Sequence, residues 1–165
     1  TLRQIAVYKS RMTTTSNSLD RFDHAILDEL RNDGRMSVTA LAERVGLSKT
    51  PCQVRLKRLQ QDGFITGFRV VLDPARLGRT NVAFVEVKLS DTRETALRAF
   101  DTAVRAVPEI EMCHMIAGAF DYLLKVRTKD VAEYRKVLGE TISALPHVSN
   151  TSTHVSMQAV KDEAF

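Results

Sequence analysis

The chain has little of what covalent staples, metal centres or self-contained catalysis require. Its two cysteines, Cys52 and Cys113, lie far apart and match no CxxC pattern. They read as reduced thiols of a cytosolic protein, not as a structural disulfide. The four histidines, His24, His114, His147 and His154, show no metal-ligand spacing, so no metal and no other cofactor is expected. No Ser/His/Asp set and no glycine-rich phosphate loop appears. No apolar run approaches the ~20 residues needed to span a bilayer, and no secretory signal is expected. What is present is a 165-residue sequence that is 44% hydrophobic, enough for one or two small domains with buried cores.

Acids are scarce in one half. The net charge is +4, but residues 1–18 carry +3 with no acid, residues 19–79 carry +3, and residues 80–165 carry −2. A basic first half and a slightly acidic second half suggest two modules, of which only one meets a polyanion. Residues 1–18 include the polar run TTTSNS and are expected to form a disordered tail. Met12 reads as the start of the native chain, so the charge before it is left out of the argument.

Three helices are expected over 19–66. Asp20 caps the first with Asp23 three residues on, Phe22, Ile26, Leu27 and Leu30 form its stripe, and Gly34 ends it. Ser37 caps the second, Leu41 and Val45 point inward, and Gly46 supplies a left-handed stop. Only Gly46 and Leu47 precede Ser48, which can cap a third helix. A connection that short forces the helix-turn-helix arrangement.

The third helix, KTPCQVRLKRLQQD, has one acid, Asp62, at its far end. At 100° per residue Cys52, Leu56 and Leu59 face the first two helices. Thr50, Val54, Lys57 and Gln61 fall on the other side, flanked by Gln53 and Arg58. Pro51 is tolerated because first-turn N–H groups have no intrahelical partner. Those N–H groups, with the Ser48 and Thr50 hydroxyls and Lys49, suit phosphate. The exposed face offers amide, hydroxyl, cationic and apolar groups, the set that reads base edges in a major groove. Taken alone, the helix also fits a solvated surface; the helix-turn-helix context favours double-stranded DNA. The expected contacts are Ser48, Lys49, Thr50, Gln53, Val54, Lys57 and Arg58, with Val54 against a thymine methyl.

Residues 64–72 read as a strand-like wing, and 67–79 as a hinge strand and linker in which Asp73-Pro74 starts a turn and Gly78 closes it. Over 80–165 the order is strand 82–89, helix 94–106, strand 109–116, strand 122–128, helix 131–144, strand 148–157. This is the βαββαβ ferredoxin-like plait, so the chain is α+β, with a winged helix-turn-helix domain ahead of it. Two helices cover one sheet face. The other holds Phe84 and Leu123 among Glu86, Lys88, Lys125 and Arg127, a half-apolar face that predicts a homodimer.

At LDRFDHAILDELRNDGRMS, LAERVGLSKTPCQVRLKRLQQDGFITGF, LDPARLG and GAFDYLLKV the sequence resembles the Lrp/AsnC (leucine-responsive/asparagine-type) bacterial transcription regulators. The resemblance runs from Leu19 to Lys161. It implies a DNA-binding first domain and a second domain that assembles the protein and senses a small molecule, often an amino acid. Dimers of such proteins commonly join into octamers. Ser48-Lys49-Thr50-Pro51 matches the family's recognition-helix start, whereas Gln53 and Val54 depart from the larger aliphatic residue and the Arg of many members. Gly118-Ala119-Phe120-Asp121 matches the family's G-x-x-D turn, which implies an effector site of Gly118, Ala119, Phe120, Asp121, Tyr122, Thr151 and Thr153. Gly118 would let the backbone approach a ligand and Asp121 would meet an α-ammonium group; the same residues also suit a plain hairpin. PEIEMCHMIAGAFDYLLKVRTKD and ALPHVSNTSTHVSM are most similar to the branch that activates proline catabolism, which makes proline the expected effector.

An enzyme is the chief rival, because the sirohaem decarboxylases resemble the same two-domain fold. An intact basic recognition helix argues against them. RNA binding through the plait lacks the aromatic-rich K/R-G-F-G-F pattern that stacks bases. A sensor that had lost DNA binding would show acids or truncation in the third helix, and neither is present. The expectation is therefore a cytoplasmic DNA-binding regulator and not an enzyme.

Overall fold

The computed structural model describes residues 18–162. The expected tail lies outside them, apart from Ser18. The chain divides into two compact units between Val71 and Leu72.

The first unit is three helices, α1 (Arg21–Asn32), α2 (Val38–Val45) and α3 (Lys49–Gln61). Asp20 and Asp23 form a reciprocal capping box at the start of α1. The Ser37 hydroxyl accepts from the Ala40 N–H at the start of α2, and Gly46 ends that helix at φ 72°. The Leu47 N–H then donates to the Ala42 carbonyl, a left-handed closure that leaves only Leu47 and the cap before α3. Ile26, Leu41, Ala42, Val45, Cys52 and Leu59 form the core, with Leu27, Leu30 and Leu56 packed against it. The helical spacing expected from sequence thus selects the buried side chains.

The stretch expected to form a wing strand is not a strand. Residues 64–72 carry no sheet pairing, and Val70, Val71 and Leu72 are 81%, 88% and 63% exposed. A strand exists only through a neighbouring strand's N–H and C=O groups, and among the described residues no strand lies alongside this segment; the Ile65 N–H donates instead to the Leu59 carbonyl at the end of α3. Phe68 instead turns its ring onto Gly34, where an added Cβ would lie 3.3 Å from the ring.

The second unit contains β1 (Asn81–Leu89), α4 (Glu94–Val104), β2 (Ile110–Met115), β3 (Tyr122–Thr128), α5 (Val131–Val137) and β4 (Val148–Val155). The sheet order is β2-β3-β1-β4, antiparallel throughout. Ala83, Val85, Val87 and Leu89 alternate with Phe84, Glu86 and Lys88, so one face of β1 packs with Phe100, Tyr122, Leu124, Val126 and Tyr134. The second helix is not regular to residue 144. After Val137 it opens into a π-helical turn, Leu138–Ile142, containing Gly139, a poor helix former. Ile142 and Leu145 beyond it remain buried.

The opposite sheet face is less bare than expected. Lys125 and Arg127 are only 14% and 12% exposed, because Glu111 and Asp162 lie against both. The segment after β4 thus brings a carboxylate onto this face, with Asp162 Oδ2 2.5 Å from Lys125 Nζ.

Candidate nucleic-acid and effector sites

Helix α3 turns two chemically different sides outward and inward. Ser48 sits at its N-cap in extended backbone, but its hydroxyl makes no capping hydrogen bond. That hydroxyl is left available beside first-turn N–H groups that have no helical partner. The first turn holds no acid, so nothing within the helix offsets the positive end of its dipole. Ser48, Lys49, Thr50, Gln53 and Lys57 are exposed, and Val54 is 64% exposed. Six of the seven expected DNA contacts therefore share one accessible surface.

The seventh does not. Arg58 Nη2 lies 2.5 Å from Asp23 Oδ2, and Arg55 Nη1 lies 2.9 Å from Asp23 Oδ1 and 2.7 Å from Asp20 Oδ2. Asp23 is 1% exposed. Burial pushes its carboxyl up, but the Asp20 N–H and the Arg55 and Arg58 guanidiniums outweigh that and hold it below the ordinary carboxylate value. Arg55 also lies over the Phe22 ring, 5.5 Å from its centroid. Two of the four cations on this helix thus fasten it to α1, and Arg58 is a fastening group instead of a free phosphate donor.

Sequence reasoning saw Asp23 only as a capping partner. The missed signal is its place one turn before Ile26 and Leu27, on the apolar side of α1. An acid there must find cations within reach, and α3 supplies two half-buried arginines.

The expected effector residues are not gathered in one place. Gly118 and Ala119 are exposed at the β2–β3 turn, with Phe120 and Asp121 half-buried beside them. Asp121 Oδ2 accepts the Leu89 N–H at 2.8 Å, and Oδ1 lies 3.1 Å from Lys88 Nζ. The Leu89 N–H, with Lys88, holds its carboxyl below the usual range against the opposing effect of burial. Leu89 sits where the β1–β4 register shifts, so Asp121 takes up an N–H at an irregularity in the sheet.

Thr151 and Thr153 stand opposite Val87 and Val85 on β4 and share their helix-facing side. Asp121 reaches Lys88, on the other side of β1. The Thr153 hydroxyl lies 2.6 Å from the Tyr134 hydroxyl and is already engaged. Tyr122 also leaves the turn: it is buried, and its hydroxyl donates to Asp101 Oδ1 at 3.0 Å. Period-two alternation separates residues that the family resemblance had joined. Among the described residues no group of His, Cys, Asp and Glu could hold a metal ion. No described helix is long and apolar enough to cross a membrane.

Two family profiles match the two units. Residues 19–66 match a winged helix-turn-helix DNA-binding profile, and residues 82–164 match the Lrp/AsnC ligand binding domain. The chain is 66% identical over 147 residues to the proline dehydrogenase transcriptional activator of Rhizobium radiobacter, covering 89% of this chain and 94% of that one. It is 48% identical over 143 residues to the leucine-responsive regulatory protein of Escherichia coli K12, covering 87% of each. Among solved structures it is similar to a transcriptional regulator of Neisseria meningitidis in complex with L-Met. That likeness has a TM-score of 0.83 and 29% identity, over 88% of this chain and 94% of that one.

Proposed function

This chain belongs to the Lrp/AsnC family of transcriptional regulators, and from that premise we propose that it is an amino-acid-responsive activator of a proline dehydrogenase gene in the bacterial cytoplasm. Its DNA-binding domain is a helix-turn-helix. The observation that carries the reading is the division of α3. Its inward cations are locked to Asp20 and Asp23, while Ser48, Lys49, Thr50, Gln53, Val54 and Lys57 are left outward.

In this reading α3 enters the major groove. The Ser48 hydroxyl, the first-turn N–H groups and Lys49 take a phosphate, and Gln53 and Val54 meet base edges. Two such helices in a homodimer read half-sites about 34 Å apart, or a multiple of that. The exposed apolar run Val70-Val71-Leu72 supports association of copies, because a lone extended segment of that composition gains pairing from a second one. Dimers joining into an octamer would lengthen the contact with DNA. The effector is assigned to the exposed Gly118–Asp121 turn, with proline as the first candidate; Thr151 and Thr153 are left to the fold. The outward recognition surface supports a regulator over a decarboxylase of the sirohaem type.

The test is binding to DNA upstream of a proline dehydrogenase gene, titrated with salt and repeated with proline. Expected are preference for that DNA over a scrambled duplex, affinity falling steeply with salt, and a shift with proline. Equal affinity for both duplexes would overturn the assigned operator. An unchanged isotherm with proline would overturn the effector.

A further inference from the structure

Phe68, in the segment that leaves the three helices, touches Gly34 in the turn after α1. Neither residue belongs to the helical core, and Phe68 is 52% exposed. The contact is small in area. Its significance lies in the glycine.

Gly34 follows the C-cap Asp33, where a left-handed residue often closes a helix. The left-handed glycines among the described residues are Gly46, Gly63 and Gly78, and Gly34 is not one of them. Other groups hold its turn. The Arg35 N–H donates to Asp33 Oδ1 at 3.0 Å, and the Met36 N–H donates to the Asp33 carbonyl at 3.2 Å. The backbone thus makes no left-handed demand here that only glycine meets.

What opposes a side chain is the Phe68 ring. A Cβ at Gly34 would lie 3.3 Å from Phe68 Cδ1, whereas the Leu30 carbonyl oxygen would lie at an ordinary 3.6 Å. Of the described glycines outside the left-handed region, Gly34 alone would meet an atom that close. The absent Cβ makes a notch, and the ring sits in it.

Ile65 gives the same segment an earlier anchor. Its N–H donates to the Leu59 carbonyl at 3.1 Å, and its side chain packs against the helical core. One anchor leaves a chain free to swing; a second, three residues on, fixes its direction. Beyond Phe68 the cover ends, with Val70 and Val71 81% and 88% exposed.

We propose that Phe68, seated on Gly34, is a positioning residue that sets which half-site spacing the protein reads. It holds the Val70-Val71 segment at one place against the three helices. Two copies joined through that segment then carry their α3 helices at one separation and one rotation. The proposal rests on the reading that copies associate there. A change of two base pairs in spacing turns one half-site by about 70° relative to the other. A swinging segment can follow that rotation, and a held one cannot.

The half-site is first selected from a random duplex pool by the unchanged full chain. Binding is then measured to paired half-sites at the selected spacing, to pairs altered by two base pairs either way, and to a single half-site. The variants are Phe68→Ala, Gly34→Val and the two together, with light scattering to give the oligomeric state of each. The unchanged chain should prefer one spacing by about tenfold or more. Phe68→Ala should reduce that preference to about twofold or less, with affinity for the single half-site and melting temperature unchanged. Gly34→Val displaces the ring from its notch and should do the same. It should add nothing in the Phe68→Ala background, whereas two independent loosenings would add.

A spacing preference that survives Phe68→Ala would overturn the proposal. So would equal weakening of Phe68→Ala on single and paired half-sites, which would make the ring a support of the helices. If Gly34→Val disrupts the turn, Phe68→Ala decides alone. An unchanged chain that is monomeric and indifferent to spacing would overturn the association reading and this proposal with it. A dimer whose preference persists without the ring would overturn this proposal alone.

Discussion

Asp23 and Asp121 are comparable groups in the two units, and the contrast between them shows what each unit fixes. Each carboxylate accepts a backbone N–H and meets a cation from another element. Asp23 is 1% exposed and takes two guanidiniums, whereas the Asp121 side chain is 16% exposed and takes one lysine that is itself 47% exposed. A dry carboxylate between two arginines has no alternative partner. A half-wet one facing a lysine can exchange that partner for water or a ligand at little cost. The DNA-binding unit is thus built to hold one helix at one angle, and the turn in the second unit is built to be negotiable.

The largest expected effect comes from breaking the tighter pair. Asp23→Ala deprives Arg58 of its carboxylate, leaves Arg55 with Asp20 alone and removes half of the capping box, so the three-helix unit should lose about 3 kcal/mol. Amide exchange in α1 and α3 would register it. If those amides stayed as protected as in the unchanged chain, Asp23 would not be the fastening point. The same group sets an acid limit. Its folded value lies below its ordinary one, so its stabilisation is complete above the unfolded carboxylate value of ~3.9. That contribution is lost as pH falls through the lower folded value. Melting followed from pH 5 to 2 should show this loss in the unchanged chain and less of it in Asp23→Asn.

Asp121→Ala should cost less, about 1–2 kcal/mol, because it orphans one N–H and releases a lysine that water readily solvates. Denaturant unfolding of the two alanine variants side by side would settle the order. An equal or larger loss in Asp121→Ala would mean that the turn is as rigid as the clamp and a poor place for an exchangeable ligand.

The sequence exposed most of the architecture because helix and strand periods are carried by side chains whose burial is nearly all-or-none. Ile26, Leu41, Val45, Cys52 and Leu59 in the helices, and Val85, Val87 and Leu89 in β1, were legible in this way. The illegible parts depend on partners that periodicity does not name. Nothing in FITGFRVVL shows that a strand-like composition will find no neighbouring strand among the described residues. Nor does a basic helix announce which arginines will be claimed by an acid 32 or 35 residues earlier. The G-x-x-D pattern located a turn, but pleating sent Tyr122 toward Asp101 and Thr153 toward Tyr134. That Asp101 would accept from Tyr122 and form no ion pair with Arg105 could not be foreseen, since their i, i+4 spacing reads as a routine surface pair.

Smaller effects belong to the outward face of α3, where no architecture is at stake. Lys49→Ala removes an exposed cation at the helix start. It should weaken binding to every duplex alike and lower the slope of log affinity against log salt by about 1 per copy that contacts DNA. A change confined to one operator sequence would show that Lys49 reads bases.

Val54→Ala separates reading from holding most finely. Val54 is 64% exposed and lies outside the core of the first unit, so its truncation should leave stability within about 0.5 kcal/mol. If it covers a thymine methyl, the loss is about 1 kcal/mol for the operator and close to none for nonspecific DNA. The ratio of the two affinities therefore falls roughly fivefold. The salt slope should not move, because no charge is removed. Competition binding at two salt concentrations gives both quantities from one preparation. An unchanged ratio would take Val54 out of the groove and leave Gln53 as the base-reading side chain of that turn. A changed slope would mean that the helix had shifted on the phosphates, and the clamp at Asp23 would then not be fixing its angle.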